Sequence, residues 1–406
     1  MNRLSNEHGP ALNVTAADIY LDAAATTPPL PGVIEAIQRV QQTAWGNPSS
    51  LHHSGLLAAE ALERSRLSIA QHLGATPTDL ICTSGATESV HLALLGCLNK
   101  QPPGRLVISA VEHTAVTAAA GQLNALGWQV ECWPVDHQGM VRLDQLERLL
   151  APPTQMVSVI WGQSEVGAIQ PVMAIGRACR DSGILFHTDA TQLLPHGRIS
   201  WNQLPIDLLS MSAHKLQGPR GIGLLLKKKH VEITPLQGGG GQEQGLRAGT
   251  EPVALMTGLA AALQTLPSFE PCSKSVPPGA CPRIRGQRDR LLSQLLGLPG
   301  VDLCGPSADH RLPNHISLLL TGRQGQPLSG RQMVRELARR GVAVSSGSAC
   351  SSGRRTDSPV LAAMDVAPDR RQSGLRLSLG GWIDDDQLAV VPQRFAEAMV
   401  AAETSV

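Results

Sequence analysis

Two hydrophobic rhythms alternate along this chain. Between about residues 30 and 265, short runs rich in Val, Ile and Leu are separated by longer stretches whose apolar residues recur every three or four positions. "DLICTSG", "RLVISA", "QMVSVIWG" and "GILFHTDA" read as strands, whereas "ATESVHLALLGCL" and "HTAVTAAAGQLNALG" read as helices. Strand and helix in alternation predict an α/β region built on a mostly parallel sheet. Ligands of such sheets gather beyond the carboxyl ends of the strands, so polar residues at those ends are the candidates for chemistry.

The rhythm breaks at "LPSFEPCSKSVPPGACPRI", residues 266–284, whose five prolines no helix interior accepts. This stretch reads as a linker or exposed insertion. Beyond it come an Arg-rich amphipathic helix ("RIRGQRDRLLSQLLG"), a strand ("HISLLL"), a helix ("GRQMVRELARRG") and the segment "GVAVSSGSACSSG". They predict a second, smaller α+β unit running to the carboxyl end. No internal repeat is visible.

Composition narrows the possible partners. At 406 residues and 42% hydrophobic content, the chain can bury a sizeable core in roughly two to three domains. A formal charge of +1 offers no field for nucleic acid or an anionic membrane, and 2% aromatic residues offer few platforms for base stacking. The amino terminus has no apolar signal region, and no stretch reaches the length of a membrane span. The eight cysteines, Cys82, Cys97, Cys132, Cys179, Cys272, Cys281, Cys304 and Cys350, lack the paired short spacings of a zinc site, so no metal is expected. Scattered thiols favour a reducing compartment, and a cytoplasmic location is expected. Neither G-x-G-x-x-G nor G-x-x-x-x-G-K-[ST] occurs, which argues against a dinucleotide fold or a phosphate-loop NTPase.

Three strand ends carry the candidate chemistry. "TSGATES" sets Thr83, Ser84, Gly85, Ala86 and Thr87 where a strand passes into a helix, so free amides and hydroxyls there either cradle an anion or simply cap the helix. "FHTDATQ" ends a strand with Asp189, whose carboxylate needs a cationic partner if it is buried, or solvent if it is not. "SMSAHKLQGPRGIG" supplies Lys215. Of the six lysines, only Lys215 follows an apolar strand; Lys227, Lys228 and Lys229 form a solvated run, and Lys100 and Lys274 sit in polar loops. A half-desolvated lysine amine is a carbonyl nucleophile. Pyridoxal phosphate needs a lysine for its aldehyde, a carboxylate for its ring nitrogen and a donor-rich helix start for its phosphate. Lys215, Asp189 and the "TSGATES" turn offer all three.

Ordered motifs then extend along nearly the whole chain: "YLDAAATTPP", "GNPSSLHHSG", "TSGATES", "VEHTAV", "VSVIWGQSEVGAIQP", "FHTDATQ", "SMSAHKLQGPRGIG", "GGGGQEQGLRAGT", "SSGSACSS" and "LRLSLG". In this order they resemble the cysteine desulfurases, in the branch with a long mobile cysteine-bearing loop. The resemblance implies an α/β protein of the pyridoxal-phosphate-dependent transferase fold type I. A large domain at 28–266 would hold a mostly parallel seven-stranded sheet. A small α+β domain from 1–27 and 285–406 would carry the cysteine, with 267–284 as the Pro-rich linker. It also implies a homodimer with shared active sites, and sulfur passed to an acceptor protein of iron–sulfur cluster assembly or tRNA thiolation.

Residue by residue, the resemblance implies that Lys215 binds the cofactor aldehyde, Asp189 pairs with the ring nitrogen and His113 stacks on the ring and moves protons. Ala86, Thr87, Ser212 and His214 would hold the phosphate, with Thr250 reaching it from the neighbouring subunit. Gln192 and Ser164 would serve the phenolic oxygen, and Asn47 and Arg376 the substrate carboxylate. Cys350 would take sulfur from L-cysteine as a persulfide, leaving L-alanine. The chain departs from the family pattern at Ser164, Val90, His91, Gln217 and Gly381. Those departures keep two other expectations open: a related lyase acting on selenocysteine or cystine, and a weakly active scaffold subunit.

Overall fold

The computed structural model describes residues 18–267, 282–347 and 357–404. Its strands are β1 (Ile19–Tyr20), β2 (Leu80–Thr83), β3 (Arg105–Ser109), β4 (Gln129–Trp133), β5 (Thr154–Ser158), β6 (Leu185–Asp189), β7 (Leu208–Ser212), β8 (Gly223–Lys227), β9 (Val301–Leu303), β10 (His315–Leu320), β11 (Val342–Ala343), β12 (Ser345–Ser346) and β13 (Gly374–Ser378). Seven of them form one sheet in the order β2-β8-β7-β6-β5-β3-β4. Only β8 runs against the others, antiparallel to both β2 and β7. The expected mostly parallel seven-stranded sheet is therefore present.

Why these runs make a doubly covered sheet follows from their side-chain alternation. Leu80, Cys82, Val107, Leu224 and Leu226 pack into one hydrophobic cluster, whereas their neighbours Ile81, Leu106, Ile108 and Leu225 pack into another on the opposite face. The first face is covered by helices 31–43, 53–73, 172–181 and 253–264, and the second by helices 86–98 and 114–125. With both faces apolar, the strands read as continuous hydrophobic runs, and each fully buried Leu or Ile contributes about 1.5–3 kcal/mol.

A third cluster joins Ile19 and Leu21 to Leu291, Leu295, Ile316, Leu318, Leu337, Leu375 and Phe395. Its frame is the sheet β12-β13-β10-β9, antiparallel throughout, with the parallel pair β1–β11 beside it. The Arg-rich helix reaches back to Pro282, so the Pro-rich stretch ends three residues before the expected boundary. Among the described residues, no helix is long and apolar enough to cross a membrane.

Candidate active site

A cavity of about 550 Å³ opens beyond the carboxyl ends of the large sheet. Its walls include Ala86, Thr87, His113, Ser164, Asp189, Gln192, Ser212, His214, Lys215 and Arg376. Asp189 and Ser212 are the last residues of β6 and β7, and Lys215 closes the single helical turn that follows β7. Strand ends separated by up to 129 positions thus meet because parallel neighbours stop at one edge.

The helix Ala86–Leu98 starts at the cavity, and its first intrahelical bond is Ser89 N–H to Gly85 O. The amides of Ala86 and Thr87 precede that bond and carry the positive end of the helix dipole. This start sits close against the sheet. A Cβ on Gly223 would lie 2.6 Å from Gly85 Cα and 2.5 Å from Met211 O, so only glycine lets β8 pass beneath the turn. One amide of the turn is already occupied, since Ser84 N–H donates to Glu88 Oε2 at 2.7 Å.

Lys215 Nζ donates to Ala24 O at 2.5 Å and Ala25 O at 2.7 Å. Gln192 Nε2 donates to the same Ala24 carbonyl at 2.8 Å, so the "YLDAAATTPP" segment is bound to the floor of the cavity. Asp189 is buried, and its Oδ1 accepts from Thr191 N–H at 2.9 Å. His214 faces Thr26 Oγ1 through Nδ1 at 3.1 Å. Burial, with Lys215 and Arg220 nearby, pushes its imidazole down to about 4, so it is neutral at pH 7. His113 caps its helix by accepting from Ala115 N–H through Nδ1 at 3.1 Å, which places the proton of a neutral ring on Nε2.

Arg376 approaches from the small sheet and is nearly buried. Its guanidinium donates to Asp22 Oδ1 at 2.9 Å and to Ser164 O at 3.0 Å. Ser345 Oγ donates to Asp22 Oδ2 at 2.9 Å, so Asp22 ties Arg376 to the strand leading into "SSGSAC". Ser164 therefore contributes its carbonyl to this network, a role independent of its side chain.

Two expected residues stand apart from the cavity. Asn47 is exposed and its Oδ1 accepts from Ser49 N–H, and Thr250 is exposed on the glycine-rich 237–250 segment. That segment is pinned to its own chain, because Glu243 accepts from Arg66 at 2.5 Å and from Cys82 N–H at 2.9 Å, and Arg247 pairs with Glu88. Cys350 lies outside the described residues.

The sequence reading passed over four charged groups. Asp22 and Arg220 border this site; Asp22 sat in a quoted motif, "YLDAAATTPP", that offered a signal. Glu112 and Glu165 are buried carboxyls that lie inside the quoted motifs "VEHTAV" and "VSVIWGQSEVGAIQP", next to His113 and Ser164.

The donor set fits pyridoxal phosphate. Unbonded amides at a helix start suit the phosphate, Ser212 and neutral His214 border the same end, and one lysine amine and one buried carboxylate share the cavity. Among the described residues no group of three or more His, Cys, Asp or Glu could hold a metal ion.

Comparison with known proteins agrees with this geometry. The family model described as "Aminotransferase class-V" matches residues 19–390. A protein named cysteine desulfurase IscS from Dictyoglomus turgidum is 36% identical over 374 residues, covering 91% of this chain and 92% of that protein. The human protein named cysteine desulfurase is 34% identical over 388 residues, covering 94% of this chain and 81% of its own length. Among solved structures, one titled NifS-like protein superposes with a TM-score of 0.83 at 29% identity, covering 95% of this chain and all of that one. With the matched family model spanning most of its length and such relatives aligned end to end, the chain belongs to the pyridoxal-phosphate-dependent class-V aminotransferase family, among its cysteine desulfurases.

Proposed function

We propose that this protein converts L-cysteine to L-alanine and retains the sulfur as a persulfide on Cys350. The observation that carries the reading is the meeting of Lys215, Asp189, His113 and Arg376 at one cavity whose other end is a helix start. In the net reaction, the Cβ–S bond of the substrate breaks and an S–S bond forms to Cys350 Sγ. The electron pair of the broken bond stays with Cβ, which takes a proton and becomes the methyl group of alanine.

Bound pyridoxal phosphate supplies an aldehyde for amines and a sink for charge developing at the substrate α-carbon. The chain's own groups do the rest. Lys215, at the cavity floor, is the amine that would hold the cofactor and trade places with the substrate amine. Asp189 would keep a proton on the ring nitrogen, since a carboxylate close by favours the charged ring. His113, with its proton on Nε2, would carry protons at the cavity. Arg376 offers a planar fork for the substrate carboxylate, held in place by Asp22. Asn47 would assist it. Ala86, Thr87, Ser212 and His214 would take the phosphate, and Gln192 and Ser164 the phenolic oxygen.

A homodimer with shared sites is part of the same reading. Trp45, Leu51 and Leu56, all close to Asn47 in the chain, are 72%, 90% and 55% exposed, and large apolar side chains left this open support a covered surface there. Thr250, presented outward by a segment fixed at Glu243 and Arg247, would complete the partner's phosphate site. A sulfur-acceptor protein is implied by a persulfide product, and the described cysteines, all free, support a cytoplasmic or otherwise reducing compartment.

The test follows alanine and persulfide from L-cysteine in wild type and Cys350→Ala. Loss of sulfur release in the variant is expected. Undiminished sulfide from Cys350→Ala would favour a lyase that needs no enzyme thiol, and colourless protein without alanine would favour a scaffold subunit.

A further inference from the structure

The turn Gln163–Gly167 carries a carboxyl that the reaction above leaves unused. Glu165 is buried, and its Oε1 has no hydrogen-bond partner, which is costly unless the group serves a purpose. Its backbone is fixed, because Gln163 Oε1 accepts from Glu165 N–H at 2.6 Å and from Val166 N–H at 2.7 Å.

Two described residues meet this carboxyl, and they flank 348–356 on either side. A Cβ on Gly347 would lie 2.5 Å from Glu165 Oε1 and 3.2 Å from its Cδ, so any side chain there would displace the carboxyl. On the other side, the Ser358 side chain hydrogen-bonds Glu165, while its Oγ also accepts from Leu361 N–H to cap the next helix. Burial pushes the Glu165 carboxyl up to about 7, with Arg376 pulling the other way, so much of it is protonated at neutral pH. A protonated carboxyl tolerates burial that a carboxylate would not. Its neighbour Ser164 meanwhile receives Arg376 on its carbonyl.

We infer that Glu165 is a positioning residue, whose buried carboxyl braces Gly347 against Ser358 and thereby fixes the two ends from which the Cys350-bearing segment departs. The inference rests on Cys350 being the sulfur acceptor. Arg376 bonds the Ser164 carbonyl of the same turn, a backbone contact that does not require the Glu165 side chain.

Holoenzymes of Glu165→Ala, Glu165→Gln and Gly347→Ala test it. Three readouts separate its parts: bound cofactor colour, the change in that colour on adding L-cysteine, and single-turnover persulfide on Cys350 by peptide mass. Glu165→Ala and Gly347→Ala are expected to keep the first two within about twofold and to slow persulfide formation by about tenfold or more. Glu165→Gln, a neutral isostere, should recover persulfide formation to within about threefold of wild type. Wild-type persulfide rates in Glu165→Ala overturn the inference. So does a fall of all three readouts together without rescue by Gln, which marks a general structural role. Should Glu165→Ala not fold, Gly347→Ala decides by the same criteria. Sulfide production by Cys350→Ala would instead sink the functional reading and is read independently.

Discussion

The cavity has two walls built on opposite principles. On the sheet wall, Asp189, Ser212, His214 and Lys215 sit at or just beyond strand ends, each placed by a strand whose core residues are fully buried. On the facing side, Arg376, Asp22, Ser164 and Ser345 are held mainly by one another, through bonds that join positions up to 354 apart. The first wall is positioned by hydrophobic packing, which is non-directional and shared among many side chains. The second is positioned by a few directional contacts between charged or polar groups, so each member matters more to its neighbours. Chemistry that needs a fixed cofactor fits the first, and handling of a substrate that comes and goes fits the second.

Substitutions on the two walls should therefore fail differently. The largest effect is expected from Lys215→Ala. It removes the only lysine amine lining the cavity among the described residues, and alanine formation should fall by about ten-thousandfold or more, while thermal stability of the apoprotein changes little. A yellow Lys215→Ala protein with residual turnover above that level would break the assignment of the sheet wall.

Next comes Arg376→Ala, which leaves the nearly buried Asp22 carboxylate without its ion pair. A loss of about 3 kcal/mol in denaturant unfolding is expected, together with a large rise in KM for L-cysteine. Arg376→Lys keeps the charge without the fork, and should raise KM by about tenfold while restoring part of the stability. If both variants unfold like wild type, the facing wall is not held by this network. Gly223→Ala probes the sheet wall in the same currency. Its methyl would press on Gly85 and Met211 at under 3 Å, costing about 1–3 kcal/mol and weakening phosphate retention, with KM nearly unchanged.

The contrast also explains what could be read in advance. The strands, the parallel sheet and the sheet-wall residues were legible because each is written locally: an apolar run, then a polar residue, then a helix start. "SMSAHKLQGPRGIG" needs no distant partner to show that Lys215 follows a strand. Arg376 was legible only through the family resemblance, and Asp22, its partner, went unassigned. Their pairing depends on β1, β11, β12 and β13 meeting, and short strands of two residues leave no periodicity to read. Glu112 and Glu165 were missed for a related reason, since a Glu in sequence looks solvated until the fold buries it. Asn47 and Thr250 remain outside the cavity, both exposed.

The smallest effect distinguishes the walls by titration. Glu112 accepts from Ser109 Oγ and Ile160 N–H, both at 2.6 Å. Burial and the Asp189 carboxylate push it up to about 8, against those hydrogen bonds. Glu165, buried beside Ser164, is pushed to about 7. In the unfolded chain both titrate near 4.5. Between 4.5 and the folded value, the native state binds more protons than the unfolded one, so stability falls as pH rises, and the loss is complete once pH passes the folded value. Buried histidines act only below about 6.5, in the opposite direction: His187 and His196, lowered to about 3 and 4, destabilise the fold as pH drops beneath 6.5. The buried thiols Cys82, Cys97 and Cys179, raised to about 12, act only above about 9. From pH 7 to 8.5 these two carboxyls are, among the described residues, the groups in this set whose shifts act, and a loss of about 1.6 kcal/mol is expected by urea unfolding. Glu112→Gln should remove the larger share of that slope across the whole range, and Glu165→Gln a smaller share confined to its early part, because Glu165 loses its proton first. A flat profile from pH 7 to 8.5 in wild type would mean that neither carboxyl enters the fold protonated, and the walls would then differ in packing alone.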